Sequence, residues 1–330
     1  MASLALGQAV ISNGATPNVI LGINEGGSTN TPSSLTFGQA SGTLSGFIGL
    51  AYTGVPGITY LGDANSPGCQ CEGWCVAANG TFGGLSDVST GGVLNGITPV
   101  GFTSTSSTAV VTVTSNSLPL TIVQDYHPAA GAPNNVFEDT VTITNTGGDT
   151  LNHVQYARVM DFDVPPTEFH EFISLHGNGA ANLILTHDNG FVLPDPTVMG
   201  PSDIGGCGVN VDFSHCGPND HGAAFLFDFG DLAAGNSLTF SVFYGAAPNE
   251  VDALTALAAV GAEVYALGES TVHSVTGAEI AGSDTATFFF GFKGVGGTPI
   301  PPPGVPEPGG LVLLGSGLLT VAARVRKLMK

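Results

Sequence analysis

The side chains best suited to chemistry crowd into one stretch, residues 161–221. It holds five of the eight histidines, His170, His176, His187, His215 and His221, among nine acids that begin with Asp161 and Asp163. Asp161-Phe162-Asp163 is the tightest pair. On a strand, residues two apart share a face, so both carboxylates would point the same way. Such a pair suits calcium, which takes six to eight oxygen ligands. It also suits acid/base work on glycosides, and a solvated loop mouth has the same composition. The calcium loop with a central Gly and a closing Glu is absent, so Asp161 and Asp163 stand as candidate metal ligands on their pairing alone. No other cofactor is suggested.

The remaining catalytic patterns do not occur. His170-Glu171 opens a run that ends at His176, with five residues between the histidines. A zinc-protease helix needs them four apart on one face. There is no nucleophile elbow, phosphate loop or dinucleotide fingerprint, and the chain leans away from being an enzyme. Tyr52, Tyr60, Trp74 and Tyr126 are the aromatics able to stack on sugar rings. Trp74 lies within Cys71-Glu-Gly-Trp-Cys75, where packing in the core beside a disulfide is the plainer role.

The five cysteines are Cys69, Cys71, Cys75, Cys207 and Cys216. In an exported chain, disulfides are the default use, and an odd count leaves at least one sulfur over. Cys207 and Cys216 can pair locally across a hairpin, and Cys71 with Cys75 is the expected pair in the other cluster. A bridge between the clusters is also open. The spacing of Cys69, Cys71 and Cys75 does not offer the paired CxxC of a structural zinc site.

Charge is distributed very unevenly. Only 10% of residues are charged, against about 25% in an average globular protein. Residues 1–304 carry 25 acids and two bases, Arg158 and Lys293, for a formal charge of −23. Residues 305–330 carry Glu307 and four bases, for +3. A body this acidic is repelled by nucleic acid and by anionic membrane surfaces, which excludes nucleic acid as a partner. A high negative charge also serves simple solubility.

The two ends read differently from the body. The first nine residues resemble the tail of a secretory signal, a short apolar run closing on Gly7-Gln8-Ala9, without a basic region before it. At the other end, Thr298–Pro303 is proline-rich and extended. Val305-Pro306-Glu307-Pro308 follows, then an uncharged apolar run from Gly309 to Ala323, then Arg324, Arg326, Lys327 and Lys330. Fifteen helical residues reach about 23 Å, short of the ~30 Å hydrocarbon core. Snorkelling cations and a thinned bilayer can close that gap. Positive charge at the very end keeps that end cytoplasmic and the body outside.

This tripartite end resembles the PEP-CTERM sorting signal of Gram-negative bacteria. Pro306, Glu307 and Pro308 match its motif, and Arg324, Arg326 and Lys327 match its basic close. The resemblance implies processing by exosortase, a membrane transpeptidase. It implies anchoring in the inner membrane before processing, then transfer to the cell surface or release, usually where exopolysaccharide is made. It covers about 26 residues and implies nothing for the body.

Between the two ends, the body is patterned for strands. Val111 and Val113, Leu120 and Ile122, Val141 and Ile143, Phe225 and Phe227, and Phe240 and Val242 recur with period two. Turn chemistry stands at Asn145–Gly148 and Asn189-Gly190. Asn249 to Leu267 instead has helical spacing, with Asn249 as cap and Gly268 as stop. The expected fold is all-β: an antiparallel β-sandwich with one packed α-helix, plus a C-terminal hydrophobic anchor helix. The expected division is an acidic body over 1–297, a linker over 298–304 and a sorting segment over 305–330. The expected function is a structural or adhesive surface or matrix protein. A carbohydrate-binding module and an extracellular hydrolase are the alternatives.

Overall fold

The structure, a computed structural model, describes residues 7–33, 46–58, 61–69, 71–87 and 93–301. Tyr60 and the segment bearing Pro306, Glu307, Pro308, Arg324, Arg326 and Lys327 lie outside the described residues. The chain forms two units, Met1–Ile300 and Pro301–Lys330. The strands and the helix of the described residues lie in the first.

In chain order the first strands are β1 (Ala9–Ser12), β2 (Val19–Ile23), β3 (Thr31–Pro32), β4 (Phe47–Ile48), β5 (Leu50–Tyr52) and β6 (Gly62–Asp63). Then come β7 (Glu72–Ala78), β8 (Thr81–Asp87), β9 (Val93–Asn95), β10 (Ile97–Ser104), β11 (Ala109–Ser115), β12 (Leu120–Pro128), β13 (Val136–Asn145) and β14 (Gln155–Phe162). The rest are β15 (Glu171–His176), β16 (Leu183–His187), β17 (Phe213–Asn219), β18 (His221–Asp228), β19 (Ser237–Ala247), helix α1 (Glu250–Val260), β20 (Val264–His273), β21 (Glu279–Ala281) and β22 (Thr287–Lys293).

Two antiparallel sheets carry the body. The larger runs β10-β11-β12-β13-β19-β22-β20-β15-β17, with β21 beside β20. The smaller runs β16-β18-β14-β7-β8-β9. A four-stranded sheet, β1-β2-β5-β6, and the pair β3-β4 complete the described residues. Alternation decides which face is dry. On β13, Val141 and Ile143 are fully buried. The threonines that alternate with them turn outward, where Thr142 meets Thr239 and Thr144 meets Ser237.

The two large sheets face each other across an aromatic layer, as in a sandwich. Phe225 and Phe227 of β18 meet Phe292 of β22 at 5.0 and 4.8 Å between ring centres. Tyr156 of β14 meets Phe240 of β19 at 4.9 Å. Edge-on and tilted contacts at these distances are the favoured geometry for aromatic pairs.

Within that dry layer sits Arg158 of β14, with no exposed side-chain surface. Its Nε donates to Glu72 Oε1 at 2.6 Å. Nη1 donates to Gln124 Oε1 and to the Tyr156 hydroxyl, each at 2.9 Å, and reaches Asp139 Oδ2 at 3.4 Å. Nη2 donates to Gly27 O at 3.2 Å and to the Tyr126 hydroxyl at 3.1 Å. Tyr244 lies under the guanidinium, 5.3 Å from ring centre to Cζ, and donates its hydroxyl to Glu72. Glu72 also accepts the backbone N–H of Thr29. One side chain thus ties both sheets to the segment around residues 26–29.

The helix differs from its expected extent. Asn249 caps it as expected, accepting from the Asp252 N–H. It stops at Gly261, seven residues before Gly268. Gly261 adopts φ 73° and donates to Ala258 O, while the Ala262 N–H reaches Leu257 O. This paired closure needs a left-handed residue, which glycine supplies at no steric cost. Val264 and Leu267, which read as continuing the helical stripe, belong to β20. Residues 161–221 are also less loop-rich than their composition implies, since β15, β16 and β17 lie within them.

Two outcomes follow from the buried arginine. Arg158→Met leaves Glu72 without its buried partner, and breaking a buried pair this way costs about 3–5 kcal/mol. Arg158→Lys, a point charge with three donors, should recover less than half of that loss in denaturant titration. The second concerns Asp139. Burial raises its carboxyl to about 7, with Arg158 and then the Tyr126 hydroxyl opposing. Its unfolded value is about 3.9. The native state therefore keeps a proton that the unfolded chain has lost, and the stability from this group declines as pH rises from about 4 to about 7. Asp139→Asn should gain on the wild type by several degrees in unfolding midpoint on going from about pH 5 to about pH 8. An unchanged difference between the two proteins would show that Asp139 is already ionised.

Candidate functional site

Asp161 and Asp163 stand at and just beyond the end of β14. The Asp161 N–H bonds to Cys71 O and the Asp163 N–H to Ala64 O, each at 2.8 Å, so the chain stays extended past the strand. Glycines pinch this backbone. A Cβ on Gly222 would lie 2.1 Å from Met160 O, and one on Gly190 would lie 2.6 Å from the same atom. Neither position can carry a side chain without moving the aspartates.

A third carboxylate comes from Asp220, the single residue between β17 of the larger sheet and β18 of the smaller. Oxygens of Asp161, Asp163 and Asp220 lie within 4.8 Å of one another. Glu171 begins β15 opposite Asn219, on the same seam. Its Oε1 accepts the His221 N–H at 3.0 Å. Asp161, Asp163 and Glu171 are buried, and Asp220 opens to solvent.

The electrostatics of this seam are unfavourable to bare charge. Burial, then the charges of Asp161, Glu171, Asp220 and Glu168, push the Asp163 carboxyl far above its usual range. Burial and then Asp220 raise Asp161, against the backbone N–H of Phe162. Burial raises Glu171 to about 10, with the His221 and His170 N–H groups opposing and Asp161 and Asp220 adding to the rise. Arg158 lies three positions before Asp161 on β14, on the opposite face, and is committed to the core.

The histidines of this region do not converge. His170 pairs with Glu279 at 3.1 Å, and His176 with the Ser214 hydroxyl at 3.0 Å while stacking on Tyr265. His215 meets Glu250 and Glu269 at 3.4 and 3.2 Å. His221 Nδ1 faces Asp188 at 3.4 Å, and buried His187 accepts the Asn189 N–H at its Nδ1. Trp74 and Tyr126 are fully buried and offer no sugar platform, and Tyr52 is buried too, at the wall of a cavity. A cavity of about 610 Å³ lies elsewhere, lined in part by Thr16, Tyr52, Asn134, Asn135 and Asp252.

The cysteines pair as Cys207–Cys216 and Cys69–Cys71, leaving Cys75 buried and free. The expected Cys71–Cys75 pair is replaced for a geometric reason. Cys75 lies inside β7 and Cys71 just before it, and four extended residues span about 13 Å. A disulfide joins Cα atoms less than about 7 Å apart. Asp220 and Glu171 were not singled out from sequence as ligands. Asp220 could have been, since a lone acid between two strands must sit at a sheet edge. Glu171 is recognisable only once β15 and β14 are known to meet.

A family model for the protein-sorting motif matches residues 304–327. The chain carries a PEP-CTERM signal. The PEP-CTERM motif implies export, membrane anchoring before cleavage, and exosortase as processing partner. It does not extend into the body. No characterised protein matches the chain by sequence. Among solved structures, a galactose mutarotase related enzyme from Lactobacillus acidophilus aligns over 90% of this chain and 94% of its own. Its identity is 9% and its TM-score 0.30, a likeness that transfers neither fold nor function. Among the described residues no helix is long and apolar enough to cross a membrane.

Cys207–Cys216 closes a short loop, the two cysteines being nine positions apart in sequence. Its stabilisation should fall near the low end of about 2–4 kcal/mol. Alkylation without reductant, followed by mass spectrometry of material recovered outside the cell, should show both thiols protected. Finding all five alkylated would remove the bridge.

Proposed function

We propose that this chain is a structural or adhesive protein of the cell surface or extracellular matrix, delivered by exosortase in an exopolysaccharide-producing setting. The observation that carries this reading is the sorting motif at 304–327. The body supports it in kind. It is an acidic β-sandwich with few cations, stable by core packing and suited to water outside the cell. A sugar-binding or hydrolytic role would have to use residues other than the buried aromatics and the separated histidines.

Replacing Pro306-Glu307-Pro308 with alanines should leave the full-length chain in the inner membrane. Fractionation and immunoblotting would follow it. Normal processing and release of that variant would overturn the reading.

A further inference from the structure

Four carboxylates meet at the seam between the two large sheets, and three of them are buried. Crowding alone is common on acidic proteins. What sets this cluster apart is the state of its oxygens. Both carboxylate oxygens of Asp163 are buried without a hydrogen-bond partner, and so is Oδ1 of Asp161. Oδ2 of Asp161 has Cys69 Sγ at 3.5 Å. That sulfur is in a disulfide and has no proton to give. Glu171 Oε2 is buried without a partner as well. Buried polar atoms are nearly always satisfied, and several orphaned acceptors aimed at one another mark a missing positive partner.

Among the described residues the chain does not supply that partner. The body has two basic residues, Arg158 and Lys293. Arg158 spends its donors in the core. Lys293 sits on β22, where its side chain lies beside Gly261 at the end of α1. The geometry instead suits a small ion. Ligand oxygens of a cation held at about 2.4 Å lie no more than about 4.8 Å apart. The oxygens of Asp161, Asp163 and Asp220 meet that limit.

We propose that Asp161, Asp163 and Asp220, with Glu171 beside them, bind one divalent cation of the calcium class at the sheet seam. The donor set is all oxygen, which favours a hard ion over zinc or copper. Carboxylates from separate segments form an adaptable shell, which suits calcium better than the strict octahedron of magnesium. Exposed Asp220 gives the ion a route in and leaves room for water ligands. The bound ion would join the end of β14, the start of β15 and the β17–β18 crossing, so binding should stabilise the native state by mass action. This inference is independent of how the chain is sorted.

The test uses the full-length chain in detergent, with calcium alone as the probe. Thermal unfolding is compared in millimolar calcium and in chelator at constant ionic strength, because salt by itself weakens repulsion between exposed charges. Calorimetric titration counts the ions. The expected result is one calcium per chain and a midpoint raised by several degrees, with magnesium less effective. Asp163→Asn and Asp220→Asn should each abolish most of that rise, whereas Asp284→Asn, on an exposed turn, should leave it intact. Asp163→Asn keeps the size of the side chain and adds no charge, so it should fold, and its midpoint in chelator should stay close to that of the wild type. Two results would overturn the proposal: no calcium-dependent shift in the wild type, or a shift that survives in both Asp163→Asn and Asp220→Asn.

Discussion

A guanidinium removed from water has to find an acceptor for each of its five N–H groups, and Arg158 finds them on four strands and one loop. Glu72 of β7, Gln124 of β12, Asp139 of β13 and the Gly27 carbonyl all converge on it. A charge buried without such partners would be prohibitively costly, so these segments cannot shift independently. The sheets are held at one spacing and one register by that requirement. The surrounding aromatic layer supplies most of the apolar burial, but aromatic contacts tolerate sliding. Hydrogen bonds to a planar fork do not.

The same strand divides its two faces between opposite problems. On the inward face, one cation faces two carboxylates, and the nearer, Glu72, takes the short bond. On the outward face, Asp161 and its neighbours have carboxylates and, among the described residues, no cation. Four residues of chain thus pass from a satisfied charge cluster to an unsatisfied one. Both lie within the body whose composition is most depleted in bases, so an internal ion pair was affordable once and not twice.

Much of the architecture was legible from alternation. Val111 and Val113, Val141 and Ile143, and Phe225 and Phe227 repeat with period two because each strand has one dry face, and all are buried. The helix start was legible too, since an Asn cap acts locally. Its end was not. Val264 and Leu267 satisfy helical spacing and strand burial equally, and only the closure at Gly261 decides between them. Asp161 and Asp163 were visible as a pair because their relation is local. Asp220 and Glu171 join them through contacts between strands of different sheets, which no local spacing encodes. Arg158 carried a faint signal, a lone base inside Tyr156-Ala-Arg-Val-Met160, where a solvent-facing charge would interrupt an apolar run.

The Arg158 contacts also bear on timing. Gly27 and Arg158 are separated by 131 positions, and Glu72 and Tyr244 by 172. Long-range closures of this kind slow folding, because the entropy of closing the loops is lost before the contacts reward it. An N-terminal portion of the chain cannot lock its core until β19 has arrived. For a polypeptide that must thread a membrane before it works, that delay is useful: the leading half stays pliable while the trailing half is still crossing.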